Sequence, residues 1–366
     1  MSSNDELQTL RRLILSELPP SALKGNPERA LLLVPLLGLA SFGIAGLATQ
    51  SPPVWVAFLA ALGLGALYAS LMFLGHEISH SAVVRNRRLQ DVLLVPCLFP
   101  FLISPHFWKI WHVRVHHGFF NMKGKDPDIF FGLENAANKV SKSPVKPLLD
   151  RLNPNFDNPV SLWFLFIWLS FFGQVVLWSV SHKVPGFNGL DRRIAALTSG
   201  AMLLGWIGIG WAAGPYTSLF VIVIPMLVAN FCVVSYIITN HQLRPLSDER
   251  DPLETSMSVT SVRALDWLFH NFSYHIEHHL FPSMSPVYFP AIRRILRRTV
   301  PDRYLAPPHF QALKLIARTP RNYNDKGTFF DSRSGSEVPV TDITARLKIL
   351  EQKMRPKEKA VIGGGS

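Results

Sequence analysis

Cysteine is nearly missing from this chain. Cys97 and Cys232 are the only two, and both sit inside apolar stretches. That excludes a disulfide framework and a thiolate metal site, and leaves both as small buried hydrophobes. Charge is scarce as well: charged types make up 17% of the 366 residues, against roughly 25% in soluble domains. The first 28 residues lack a continuous apolar core, so no cleavable signal peptide is expected. Internal repeats and low-complexity tracts are absent too. What is abundant is apolar sequence, at 48%, gathered in blocks. The net charge of +12 comes from Lys and Arg that flank those blocks, a pattern that fits anionic lipid headgroups better than nucleic acid.

Residues 5–18 carry Leu7, Leu10, Ile14 and Leu18 at helical spacing with Arg11 and Arg12 between them, which predicts an amphipathic helix lying on the membrane. Apolar blocks at about 31–49 and 53–74 each approach the ~20 residues that cross a bilayer as a helix, and the short uncharged link between them makes a hairpin. The run 92–105 is short and broken by Pro96, Pro100 and Pro105, so it is expected to be interfacial or re-entrant. Three further blocks lie at about 160–181, 195–213 and 216–238. Lys183, Arg192 and Arg193 place the 182–194 link on the cytoplasmic side, and the uncharged Gly214-Pro215 link outside. Block 160–181, with Trp163, Trp168 and Trp178, must then lie along or dip into the membrane. Arg293, Arg294, Arg297 and Arg298 predict a basic helix edge facing headgroups. Ile343, Leu347, Leu350 and Met354 predict a last amphipathic helix over 341–354.

The expected organisation is an N-terminal amphipathic segment (1–29), a main domain (30–310), a cytosolic tail (311–362) and a glycine-rich expression scar (363–366). Within the main domain, hairpins at about 31–75 and 195–238 alternate with cytosolic regions 76–159 and 239–310.

Those cytosolic regions hold most of the 13 histidines. His76 and His80 stand at i, i+4, which puts both rings on one helical face. His112 and His116 share a face in the same way, and His117 is turned by about 100° from His116. His275, His278 and His279 form a third group at i, i+3, i+4, and His241 stands alone at the end of the last span. Imidazole is a neutral ligand for Fe, Zn, Cu and Ni, and one ion takes at most about six ligands. These histidines exceed that number, so they predict two ions with four or five imidazoles each. The fold expected is therefore an all-α integral membrane protein: four transmembrane helices in two hairpins, interfacial helices, and a cytosolic helical cap holding a di-metal site. His106, His182, His270 and His309 are read as non-ligands, with His106 and His270 nearest in role to supporting groups.

The boxes His76-Glu-Ile-Ser-His80, His112-Val-Arg-Val-His116-His117 and His275-Ile-Glu-His278-His279-Leu-Phe-Pro282 resemble the three histidine boxes of the membrane-bound fatty acid desaturase family. The likeness extends over about 70–310, and Gly124-Lys-Asp-Pro-Asp128 is similar to bacterial members. Two departures stand out. The second box has three residues before its doublet where many relatives have two. The third begins with His275 where relatives that desaturate towards the carboxyl end often carry Gln.

The resemblance implies two iron ions held by the three boxes, with His241 in the place of a further ligand between boxes two and three. It also implies O₂ as co-substrate, no bound organic cofactor, and an acyl-lipid or acyl-CoA substrate. A separate electron donor of the ferredoxin or cytochrome b5 type would dock on the cytosolic face, drawn by Arg85, Arg87, Arg88 and Lys123. The location implied is a bacterial inner membrane with the active site on the cytoplasmic side.

Removing hydrogen from an unactivated methylene is beyond any side chain, so a metal must carry that step while the protein positions substrate and excludes water. Glu77, Asp126, Asp128, Asp266 and Glu277 are the acids expected to orient imidazoles, and Asn240 and Asn271 could hold a metal-bound water. Phe107, Trp108, Trp111, Phe119 and Phe120 are candidates to line an acyl tunnel. A lipid hydroxylase, an acetylenase or a carotenoid ketolase would use the same scaffold. A metal or haem transporter is disfavoured, because its polar residues would lie near the bilayer midplane.

Overall fold

The computed structural model describes residues 3–132, 157–168, 174–324 and 327–354. Parts of the expected 76–159 region and of block 160–181, the side chain of Trp168, and the terminal scar lie outside the described residues.

Three helices among these residues are long and apolar enough to cross a membrane, or up to four if a bent pair counts as one span. The first, Pro27–Gln50, ends in α2 (Leu33–Gln50). Ser51, in the left-handed region at φ 43°, and Pro53 turn the chain into α3 (Val54–Ser79). The third stretch runs from Arg192 to His241. At 50 residues it would be about 75 Å long if straight, more than twice the hydrocarbon core. It is not straight. Gly214 has φ 79°, which a side chain would oppose, and it folds α8 (Arg192–Ser218) back so that Gly210 lies against Ile222. The returning arm is α9 (Ile224–His241).

Helices α3 and α9 run side by side in the same direction. A Cβ on Gly65 would lie 2.5 Å from Val228, so glycine there lets the two backbones approach. Further along, Phe73 meets Tyr236 edge-on at 5.8 Å. Both helices therefore deliver their C-terminal histidines to one level.

Between them in sequence, α4 (Arg87–Leu98) is capped by the Asn86 side chain and contains Pro96. With its 3-10 extension to Phe101 it meets α5 (Pro105–Phe119) at 96°, a break within the stretch where the prolines of 92–105 predict one. Helices α6 (Pro159–Trp168) and α7 (Gln174–Val180) are each far too short to cross ~30 Å of hydrocarbon. The 182–194 link packs beside the second histidine box: Arg114 donates to the Asn188 carbonyl, and the Asp191 amide donates to His106.

The cap departs from expectation in three ways. Helix α1 (Ser3–Ser16) is amphipathic as expected, yet Leu7, Leu10 and Ile14 are buried in a cluster with Ile276, Leu280, Ile292 and Leu296, so its apolar stripe faces protein instead of lipid. The basic edge on α12 (Phe289–Thr299) is largely consumed internally: Arg293 pairs with Glu277, Arg297 with Glu351, and Arg298 with Glu17. Finally, β1 (Asn322–Tyr323), β2 (Thr328–Phe330) and β3 (Glu337–Pro339) form a small antiparallel sheet, so the fold is mostly rather than wholly helical. Helix α14 (Val340–Met354) follows it and buries Ile343 and Leu347.

Candidate metal centre

The last turn of α3 brings His76 and His80 together with ring centroids 4.7 Å apart. The second box is not a regular α-helix. Lys109–His116 bond as a π-turn, and the His117 amide donates to the His112 carbonyl five residues back. An i→i+5 turn swings residue i+5 back towards residue i. His117 thus joins His112, while His116 stacks on His112 at 5.1 Å and also meets His241 and His279 edge-on. The regular α-helical face expected of His112 and His116 gives way to this π-turn, although their rings still stack. The third box, on α11 (His275–Leu280), divides in the same way.

Two larger groups of donor atoms result, each with its atoms within 4.8 Å of one another, and a third group, His112, His116 and Asp128, takes one histidine from each. His76, His80, His112, His117 and His278 form one. His116, His241, His275 and His279 form the other. Both could hold a metal ion. His275 Nε2 lies 2.7 Å from His241 Nε2 and 3.0 Å from His279 Nε2, and His278 Nε2 lies 3.0 Å from His117 Nε2. Adjacent nitrogens around one ion with bonds of about 2.1 Å would be about 3.0 Å apart. The buried Nε2 atoms of His76, His80 and His112 have no hydrogen-bond partner. Buried polar atoms are rarely left so, and an ion is what such convergent lone pairs fit.

Burial, reinforced by the neighbouring rings, pushes His117, His275, His278 and His279 well below the usual histidine range, so they stand neutral with free lone pairs. His116 differs. Burial would lower it too, but Asp126 and Asp128 outweigh that and hold it up to about 9. Its Nδ1 is 3.0 Å from Asp126 Oδ1 and 3.2 Å from Asp128 Oδ2, which turns Nε2 towards the second group. Asp126 is itself fixed by the amides of Asn121 and Asp128, and Asp128 by the Trp111 indole.

The other expected supports do different work. Glu77 touches none of the nine histidines; Arg29 grips both its oxygens at 2.7 Å. Fully buried Glu277 accepts from Ser258, Tyr304 and Arg293, which ties α11 to α12. The i+1 and i+2 positions of their boxes face away from the ligand side, where arginines can reach them. Asp266 accepts from Ser273, and Asn271 donates to the Pro286 carbonyl. Asn240 is fully buried, and neither of its side-chain polar atoms has a partner. His106 accepts the Asp191 amide, His309 stacks on Tyr236, and His270 bonds Ser70.

Sequence reasoning misses Arg29 and Asn121, and it misses that Trp108 stacks 4.5 Å from His112. Asn121 links the second box to the end of α9 by donating to the His241 carbonyl. Its φ of 52° beside a Gly-Lys-Asp-Pro-Asp turn is the one local hint.

A narrow cavity of about 50 Å³ touches both groups, reaching His76 and His112 of the first and His116, His241 and His275 of the second. Apart from Asp128, its remaining wall is apolar: Met72, Phe73, Phe101, Ile103, Val233, Val234, Ile237 and Phe272, with Trp108 and Trp111. Those two tryptophans fulfil the expected lining role. Phe107 instead packs on Trp111 and Phe187, Phe119 lies under Lys125 and Arg250, and Phe120 covers His279.

Comparison with known proteins gives the same direction. The family model described as Fatty acid desaturase matches residues 53–310. A Delta(8)-fatty-acid desaturase of Euglena gracilis is 26% identical over 62% of this chain and 57% of its own length. An sn-1 linoleoyl-lipid 6-desaturase of Synechocystis is 22% identical over 68% of this chain and 74% of its own. A sphingolipid delta(4)-desaturase/C4-monooxygenase of Homo sapiens is 25% identical over 85% and 87%. The chain spans little more than half of the Euglena relative.

Proposed function

Because the chain belongs to the fatty acid desaturase family, we propose that it is a membrane fatty acyl desaturase that uses O₂ and two iron ions to introduce a double bond into an acyl chain. One observation carries this reading: two groups of five and four imidazoles both line one largely apolar cavity. His76, His80, His112, His117 and His278 would hold one iron, and His116, His241, His275 and His279 the other.

The irons, when bound, would supply O₂ activation and the removal of two hydrogens from adjacent methylenes. The rest falls to the chain. The cavity walls desolvate a hydrocarbon, which costs nothing for an apolar chain and excludes water from the reacting carbons. Trp108 and Trp111 close the cavity beside the second box and fix the depth at which a methylene meets the imidazoles. Asp126 and Asp128 hold His116 in the tautomer with Nε2 towards iron. The overall reaction consumes O₂, two electrons and two protons and yields an alkene and two waters, so an external donor is required. A ferredoxin or cytochrome b5 type protein would meet the exposed Arg85, Arg87, Arg88 and Lys123.

The membrane arrangement we infer has four crossings, 27–50, 54–79 and the two arms of 192–241, with α4 and α5 dipping from the cytoplasmic side. The site then lies inside, in a bacterial inner membrane. The test is lipid profiling in a host without its own desaturase. Products lighter by two hydrogens, lost in His116→Ala, would support the reading; unchanged lipids with normal iron content would refute it. Products heavier by one oxygen would favour the hydroxylase alternative, which the bifunctional name of the human relative keeps in view.

A further inference from the structure

Arg29 lies on the 3-10 turn that begins the first span, outside every histidine box. Its Nε and Nη2 donate to the two oxygens of Glu77 at 2.7 Å each. Glu77 sits between the two histidines of box one and is almost fully buried, so this fork and carboxylate are a fixed joint. The same Nη2 lies 3.4 Å from Nδ1 of His270.

The hydrogen-bond directions around His270 can be worked out. The Ser70 hydroxyl is 2.7 Å from the Leu268 carbonyl, which can only accept, so Ser70 spends its proton there. Ser70 must then accept from His270 Nε2–H at 3.1 Å. Nδ1 is left as the acceptor and faces Arg29. His270 is a neutral relay in one tautomer, and it cannot also be a ligand.

His270 and Asn271 both have positive φ, 55° and 60°, an arrangement that side-chain-bearing residues adopt only when their surroundings impose it. They form the turn that leads into box three. The stretch around Arg29 is sewn on nearby as well: the Asn26 amide donates to the Ala82 carbonyl, and Arg85 donates to the Leu23 carbonyl. A second, much smaller cavity of about 10 Å³ has Glu77, His270 and Asn271 in its wall together with His76 and His278.

We propose that Arg29 is a positioning residue for the metal centre: one guanidinium joins the end of box one, through Glu77, to the entry of box three, through His270, and so sets His76 and His80 against His278. These three rings belong to the five-histidine group, so the effect should be selective for that group. The inference rests on the di-iron reading above.

The test is iron binding by the full-length protein in detergent, with wild type as control. The Arg29→Met variant leaves Glu77 buried without a counter-charge, so an Arg29→Met/Glu77→Gln pair removes the charge as well. In the pair, iron affinity at one site is expected to fall about 10–100-fold, the range seen when a group behind a ligand is removed. Iron content should drop from two towards one per chain, and the spin-coupled signature of an iron pair should disappear, while melting temperature stays near wild type. A paired variant that binds two irons with wild-type affinity would overturn the proposal. So would failure of both variants to fold, since Arg29 would then serve stability alone. Wild type that holds fewer than two irons would instead overturn the di-iron reading, and this inference with it.

Discussion

Replacing Asp126 by Asn changes one atom, and its cost follows from three donors. The carboxylate accepts the Asn121 amide at 2.7 Å on one oxygen, and the Asp128 amide and His116 Nδ1, each at 3.0 Å, on the other. An amide keeps one oxygen and turns an NH₂ towards at least one of these N–H groups. A buried donor is then unsatisfied, at about 1–3 kcal/mol. If the oxygen stays with Asn121, it is His116 that loses its anchor. His116 belongs to the four-histidine group, which has no spare ligand. Iron affinity at that group is expected to fall by about 10–100-fold with the loss of this support. Asp128 is less committed, since it gives one oxygen each to Trp111 and His116 and is partly exposed, so Asp128→Asn should cost several-fold less. Iron titration monitored by metal analysis, with thermal melting of the apo-protein alongside, measures both quantities. Asp126→Asn with wild-type affinity and melting would refute the argument that this carboxylate holds the ring.

Further outcomes follow from the same structure. With His116 at about 9 and the other cap rings neutral, iron loading near pH 7.5 should release about one proton per chain. The sign is that protonated His116 must lose its Nε2 proton to bind, so affinity should rise by up to tenfold per pH unit below about 9 and level off above it; proton release that is flat from pH 7 to 10 would contradict this. Gly65→Val would drive a side chain into Val228 and should lower stability by about 1–3 kcal/mol in a denaturation assay in detergent. Val233→Phe should narrow the cavity, keep both irons and shift products to shorter acyl chains; an unchanged product profile would remove Val233 from the lining.

The gathering of the histidines was legible because spacing on α3 and α11 and their number are properties of the sequence itself. Their division was not. Whether His112 pairs with His116 or His117 depends on a backbone bond that skips one residue further than usual, and no residue type in Lys109–His116 announces it. Carboxylates next to ligands drew attention, but only Asp126 and Asp128 support a ring, because reach depends on which helix lies opposite. Arg29 escaped notice because its partners are 48 and 241 residues away. Helix α1 and the arginines of α12 were read as lipid-facing because amphipathicity states that a face is needed and leaves its partner open. The small sheet has strands of two or three residues, too short for alternation to register.

Helix α11 is six residues long, yet it feeds both histidine groups, His278 to one and His275 with His279 to the other. It is also pinned at its middle by Glu277. The placement of the two histidine groups relative to each other thus depends in part on a single stiff peg. Tilting it would tighten one coordination sphere as it loosened the other, so the two positions cannot be tuned separately by changes on this helix. Independent adjustment of either one has to come from α3 or α9, because α5 also feeds both groups.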